Sequence, residues 1–156
     1  MTNKASAGIV MYRRRESGPE VFLVHPGGPF WARKDAGAWS IPKGEIHPGE
    51  APLDAAQREF AEETGSVAAG PFTAIGSVRM RSGKVVHAWA AEGDIDADRI
   101  TSNVFTLEWP PRSGRQQEYP EADRGAWFSI EEARQRILAA QAPLLDHLTV
   151  LVAGNA

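Results

Sequence analysis

The stretch GEIHPGEAPLDAAQREFAEETG, residues 44–65, constrains the fold more than any other part of the chain. From about Ala51 it reads as a helix, with Pro52 tolerated in the first turn and Gly65 as the stop. Glu59, Glu62 and Glu63 stand at offsets of three and four, so they are expected to project together from one face. At 100° per residue they span an arc of roughly 100°, while Leu53, Ala56, Phe60 and Thr64 form a separate stripe. Three carboxylates on one arc repel each other, and a bound divalent cation turns that repulsion into attraction. Hard oxygen donors of this kind select Mg²⁺, Mn²⁺ or Ca²⁺ over zinc. The same pattern also describes a solvated acidic face with an Arg58–Glu62 pair at i,i+4, the usual fate of a charge run.

The flanking residues bear on that choice. Gly44, Glu50, Arg58, Glu59, Glu62, Glu63 and Gly65 are seven fixed identities at fixed spacing. At ordinary residue frequencies such a set arises at a given start with a probability on the order of 10⁻⁸ to 10⁻⁹. On these residues the sequence resembles the Nudix hydrolases, whose signature runs G-x5-E-x7-R-E-U-x-E-E-x-G-U, with U a bulky apolar residue. The two U positions depart from the pattern: Phe60 is aromatic, and Ser66 is polar and followed by Val67. Both departures touch packing and leave the chemistry-bearing positions intact.

The resemblance implies an αβα sandwich with a mixed β-sheet between helices, an α+β fold. It implies a hydrolase that brings water to a phosphorus of a nucleoside diphosphate linked to another group. Mg²⁺, with Mn²⁺ as a substitute, is the implied cofactor, held by Glu59, Glu62 and Glu63 with the backbone carbonyl of Gly44. Glu50 and Arg58 are expected behind these ligands, orienting the loop and the carboxylates. The general base is either a glutamate of the signature or one on a later loop, where Glu118 and Glu121 lie. Glu121 stands six residues before Trp127, a spacing similar to that of the corresponding glutamate in dinucleoside tetraphosphate hydrolases of the family.

Phosphate contacts call for cations. Trp39-Ser40-Ile41-Pro42-Lys43-Gly44 resembles the W-x-x-P-K-G lead-in of polyphosphate-cleaving branches, which marks Lys43. Arg112 and Arg115, flanking Ser113-Gly114, are candidates to close over the substrate. Phe30 and Trp31, in the loop before the signature with Arg33 and Lys34, suit either stacking on a nucleobase or anchoring the loop. His87 shares a strand face with Trp89 and reads as a core residue.

The first expectation for the substrate is a dinucleoside polyphosphate. A MutT-type nucleoside triphosphate pyrophosphohydrolase, acting on ordinary or oxidised nucleotides, is the alternative. The tyrosine common about sixteen residues after the signature in the first group is absent, since Arg81, Ser82 and Gly83 lie there. The proline that marks many ADP-ribose cleaving members is missing too. A nucleotide-sensing module without activity is a third reading, and the complete set of carboxylates argues against it.

Composition narrows the class further. The chain has 156 residues, 42% hydrophobic and 24% charged, which suits a single domain, residues 1–156. It has no cysteine, which excludes disulfides, thiolate metal sites and cysteine nucleophiles. A net charge of −3 argues against nonspecific nucleic-acid binding. No stretch has the length of a membrane span and the amino terminus lacks a signal-peptide pattern, so a cytoplasmic protein is expected, monomer or homodimer, with a nucleotide as its small-molecule partner.

The remaining elements are expected as follows. Strands cover Ala5 to Tyr12 and Val21 to His25, with a turn over Arg13 to Pro19 and a loop over Pro26 to Ala38. Further strands cover Phe72 to Met80, Lys84 to Ala91 and Thr101 to Glu108, the first two joined by Ser82-Gly83. Pro110 to Arg124 reads as a long polar loop before a strand at Gly125 to Phe128. Ser129-Ile130-Glu131-Glu132 is a capping box opening a helix to about Gln141, and a short helix follows over Pro143 to Val152.

Overall fold

Strict alternation along the first strand decides the architecture. In β1 (Ala5–Arg15), Ala7, Ile9 and Met11 face one side, and Val10 and Tyr12 face the other. All five are buried, so the strand must be covered on both faces. The structure, a computed structural model, describes residues 5–154.

β1 pairs antiparallel with β2 (Gly18–Pro26) through its C-terminal half and with β3 (Lys43–Glu45) through its N-terminal half. On its other edge it runs parallel to β5 (Val85–Glu92), which pairs antiparallel with β4 (Thr73–Arg79). β8 (Ala122–Ser129) completes the mixed sheet on the far side of β2, giving the order β4-β5-β1-β2-β8. A separate two-stranded hairpin joins β6 (Val104–Glu108) to β7 (Gln116–Pro120).

Helix α1 (Pro52–Thr64) covers one face, setting Ala55, Ala56 and Phe60 against Ile9, Met11, Phe22 and Val24. Phe60 is fully buried and meets Phe22 edge to face at 6.5 Å. The aromatic at this position therefore fills the core, and Phe60→Ala would cost about 3–5 kcal/mol. Helices α2 (Ile130–Arg136) and α3 (Ala142–Gly154) cover the other face, where Leu144, Leu145 and Leu148 pack on Val10, Val21 and Val86. This is the expected αβα arrangement. Among the described residues no helix is long and apolar enough to cross a membrane.

Several boundaries differ from expectation. β1 runs on through Arg15 instead of turning at Arg13, because Arg13 pairs with Glu20 across the hairpin and stacks over Trp127 at 4.2 Å. The capping box is half formed: Ser129 Oγ accepts from the Glu132 N–H at 3.2 Å, while the Glu132 carboxylate accepts from Arg136. The helix it opens ends at Arg136, since Ile137 bridges to Trp39 and Leu138 N–H donates to the Trp39 carbonyl. The stretch read as a loop from Pro110 to Arg124 contains β7 and the start of β8. Val67 is 83% exposed, and Ala68 takes the buried place after the helix.

Candidate active site

Glu59 and Glu63 lie one helical turn apart, so they share the edge of α1 that turns under the sheet. They are only 8% and 9% exposed. A third carboxylate, Glu121, comes from the junction of β7 and β8. Single oxygens of Glu59, Glu63 and Glu121 lie within 4.8 Å of one another. These residues, with Lys43 and Gly44, border a cavity of about 530 Å³.

β3 brings its own contribution. The Lys43 N–H donates to Glu63 Oε2 at 3.0 Å. Gly44 is a strand residue of β3, and its requirement is steric. A Cβ there would stand 2.0 Å from the carboxyl carbon of Glu59, so only glycine lets the strand lie against that carboxylate.

Arg58 ties the cluster to the helix entrance. Its guanidinium donates to both oxygens of Glu50, at 2.9 and 3.0 Å, to Glu59 at 2.8 Å, to Glu62 at 3.1 Å and to the Glu45 carbonyl at 2.8 Å. The Arg58 bonds, helped by the His47 N–H, hold the Glu50 carboxyl down to about 2. Arg58 thus holds Glu59 from behind. Glu62 lies about 60° round the helix from Glu59, on the side away from Glu63; its carboxylate accepts from Arg58 at 3.1 Å and is not one of the three that converge.

Electrostatics make the cluster unfavourable without a cation. Burial pushes the Glu63 carboxyl up to about 8, with Glu59 and Glu121 adding to the shift and Lys43 opposing it. Glu59 is raised by burial against the pull of Arg58, and Glu121 by desolvation and the nearby Glu62 charge. Crowded anionic oxygen donors with no nitrogen or sulfur among them fit a magnesium-type ion.

The backbone N–H and carbonyl of Glu121 are both bonded to main-chain atoms, and the next N–H, of Ala122, donates to Ser102 Oγ at 2.9 Å. Asn103 N–H donates to the Glu62 carbonyl at 2.8 Å, Glu121 N–H to the Asn103 carbonyl at 2.8 Å, and Gly27 N–H to the Glu121 carbonyl at 3.1 Å. This relay ties the end of α1 to the root of the β6–β7 hairpin and to the end of β2. Gly27 is needed there, because a Cβ would stand 1.9 Å from the Pro120 carbonyl oxygen.

The register of the hairpin sorts the other candidates. Thr106 pairs with Glu118, and the two face away from the loop of residues 27–38. Phe105 with Tyr119, Leu107 with Gln117 and, through the Trp109 N–H to the Arg115 carbonyl, Trp109 with Arg115 share the opposite face. Glu118 is therefore exposed on the wrong face for a base. Arg112 and Arg115 lie at the exposed tip and do not border the main cavity, so the structure does not bring them to the carboxylates. Lys43 does border it, and its charge acts on both Glu63 and Glu121.

Two features escaped the sequence. Lys84 lines the cavity from the residue just before β5, 3.4 Å from Glu45. The Ser82-Gly83 turn and the parallel β1–β5 pairing bring it there, and that pairing has no local signal. His25, fully buried, pins the 27–38 loop, with Nδ1 2.9 Å from Asp123 and Nε2 2.6 Å from the Lys34 carbonyl oxygen. Asp35 adds a bond from Trp39 Nε1 at 2.7 Å and one from Arg136.

Solved structures of known proteins share this fold. An Ap4A hydrolase from C. elegans, solved as a binary complex, superposes with a TM-score of 0.68 at 24% identity, covering 96% of this chain and 98% of its own. The NUDIX domain of NrtR from Shewanella oneidensis, solved with ADP ribose, gives 0.69 at 16% identity, with 97% and 90% covered. A mutT/nudix family protein from Listeria innocua gives 0.66 at 15% identity, with 99% and 98% covered. At these identities the likeness is one of fold. The family is settled by the sequence model of the NUDIX domain, which matches residues 2–148. The chain belongs to the Nudix family, hydrolases acting on phosphoric anhydride bonds.

Proposed function

We propose that the protein is a divalent-metal-dependent pyrophosphohydrolase whose substrate is a nucleoside diphosphate linked to a further phosphate-bearing group, in the first instance a dinucleoside polyphosphate. The observation that carries this reading is the convergence of Glu59, Glu63 and Glu121, from two distant segments, within 4.8 Å in a cavity also lined by Lys43. Glu59, Glu63 and the backbone carbonyl of Gly44 would hold the ion. A bound Mg²⁺ would neutralise diphosphate charge and acidify the attacking water.

The chain's own groups do the rest. Glu121, opposite α1, takes the proton of the attacking water. Arg58 and Glu50 keep Glu59 in its direction, and Glu62 stays with Arg58 as a reserve of negative charge beside Glu121. Lys43 meets phosphates as a point charge. With Lys84 also on the cavity wall, a chain of more than two phosphates finds a second cation. A nucleoside triphosphate is the second reading, favoured by the aromatic slot of about 310 Å³ beside Glu121, which has room for one base.

The test is a panel of dinucleoside tetraphosphate, nucleoside triphosphates and a nucleotide diphosphate sugar with Mg²⁺, in oxygen-18 water. Lys43→Ala should lower tetraphosphate cleavage about ten- to a hundred-fold more than cleavage of the diphosphate sugar. Equal losses on both would remove the polyphosphate preference. No cleavage of any anhydride with Mg²⁺ or Mn²⁺ would overturn the enzyme reading.

A further inference from the structure

Next to the carboxylates, and sharing Pro26, Trp31 and Glu121 with the main cavity, lies a slot of about 310 Å³. Phe30 and Trp31 line one side, Phe105 and Leu107 the other, with Pro26 and Gly27 at the base. The walls are held in place independently of any ligand. Gly28 lies close enough to Phe105 that a Cβ would stand 3.0 Å from the ring. Phe30 meets Trp109 edge to face at 5.2 Å, which joins the loop to the hairpin tip, and Lys34 Nζ sits 5.2 Å over Trp31. Trp31 and Phe105 belong to neither core cluster, so the fold does not use them as core.

We propose that this slot takes the nucleobase of the substrate by stacking, with little discrimination among bases, and that the phosphate chain runs from it past Glu121 toward Lys43 and Lys84. The two cavities meet at Glu121, which sets the direction: the aromatic rings line the slot on one side, and Glu59, Glu63, Lys43 and Lys84 line the main cavity on the other. Its size lies at the lower end for small-molecule sites, enough for one planar ring system. The tolerance follows from the lining. Glu121 and the indole N–H of Trp31 are its side-chain hydrogen-bonding groups, and the Gly27 N–H is already spent on the Glu121 carbonyl. Base edges are read by arrays of donors and acceptors, whereas every base offers a π-face to an aromatic wall. Purines should bind ahead of pyrimidines by stacking area alone.

This inference rests on the nucleotide reading above, and the experiment separates the two. The 5′-monophosphates of adenosine, guanosine, cytidine and uridine have no anhydride bond to cleave. They are titrated by calorimetry in Mg²⁺, with ribose 5-phosphate as the base-free control. Wild type should bind all four within about tenfold, purines first, and well above ribose 5-phosphate. Trp31→Leu and Phe105→Leu should each weaken the nucleotides by about five- to a hundred-fold and leave ribose 5-phosphate unchanged. In turnover the same variants should raise KM and spare kcat. Unchanged nucleotide affinity in both variants, or one base preferred by more than about a hundredfold, would overturn the slot while leaving anhydride cleavage standing. Base-dependent binding without cleavage of any nucleotide anhydride would do the reverse. The wild-type base series needs no variant, so the proposal stays exposed to refutation even if a substitution proves damaging.

Discussion

The signature region and the β6–β7 hairpin face each other across one cavity and are built on opposite principles. The first carries its Glu59 and Glu63 carboxylates in buried positions, and its geometry is over-determined by side chains. Arg58 alone makes five hydrogen bonds to four residues, and Gly44 leaves no space between strand and helix. The hairpin is mostly exposed and, among the described residues, its strands pair with each other and not with the main sheet; main-chain bonds and Ser102 Oγ hold its root, and Phe105 near Gly28 and Trp109 against Phe30 join it to the loop. The contrast suggests a division of labour in which the rigid half sets the chemistry and the attached half sets what is admitted.

Substitutions sharpen or break that contrast. The largest effect is expected for Glu63→Gln, which keeps size and helix propensity but removes an anionic oxygen donor. Turnover should fall on the order of a thousandfold with the fold retained, as judged by circular dichroism. Near wild-type kcat at saturating Mg²⁺ would dissolve the metal-site assignment. Glu62→Gln should cost clearly less, because that carboxylate is more exposed and stands outside the convergent three.

Gly44→Ala comes next. The added Cβ has to displace the Glu59 carboxylate or the strand, and a misplacement of about 1 Å is worth roughly a hundredfold in rate. Full activity in this variant would mean that the close approach is irrelevant to the chemistry. On the hairpin side, Glu121→Gln should slow the catalytic step about a hundredfold with little change in the Mg²⁺ concentration required. Glu118→Gln, on the opposite face, should change neither. The comparison fails if the two substitutions behave alike.

The smallest effect is on stability. Without metal the Glu63 carboxyl is raised to about 8, so its stabilising contribution is complete below 4.5 and is lost as pH rises through about 8. Glu50 runs the other way: its contribution is present above 4.5 and lost as pH falls through about 2. Mg²⁺ binds ionised carboxylates, so it should raise the melting temperature by a few degrees more at pH 9 than at pH 6. A pH-independent Mg²⁺ effect, measured by thermal denaturation, would show that Glu63 does not meet the ion.

The two halves also differ in how much of them could be read from the chain. α1 was legible because helical periodicity, a stop glycine and fixed charges coincide within one short segment. The position of Glu59 and Glu63 followed from that. The place of Glu62 beside that cluster did not, because spacing gives the arc of a stripe and not which of its members meet a carboxylate from a distant segment. Glu121 could be found only by its spacing from Trp127, since its own N–H and carbonyl bond to main-chain atoms. β7 was missed because QQEYP carries one apolar residue on its inner face, Tyr119, too little for an alternating pattern to register. Lys84 and His25 depend on long-range pairing and burial, which leave no local trace.

The main-chain relay from Glu62 through Asn103 and Glu121 to Gly27 has a further consequence. Everything between Asn103 and Glu121 is bracketed by bonds that do not depend on which side chains it carries. The hairpin is therefore an exchangeable cassette: a replacement of different length or lining can be seated between the same two anchors without moving the glutamate at its end. New substrate ranges can then be engineered, or arise by drift, in seventeen consecutive residues, 104–120, while the hydrolytic apparatus is inherited unchanged.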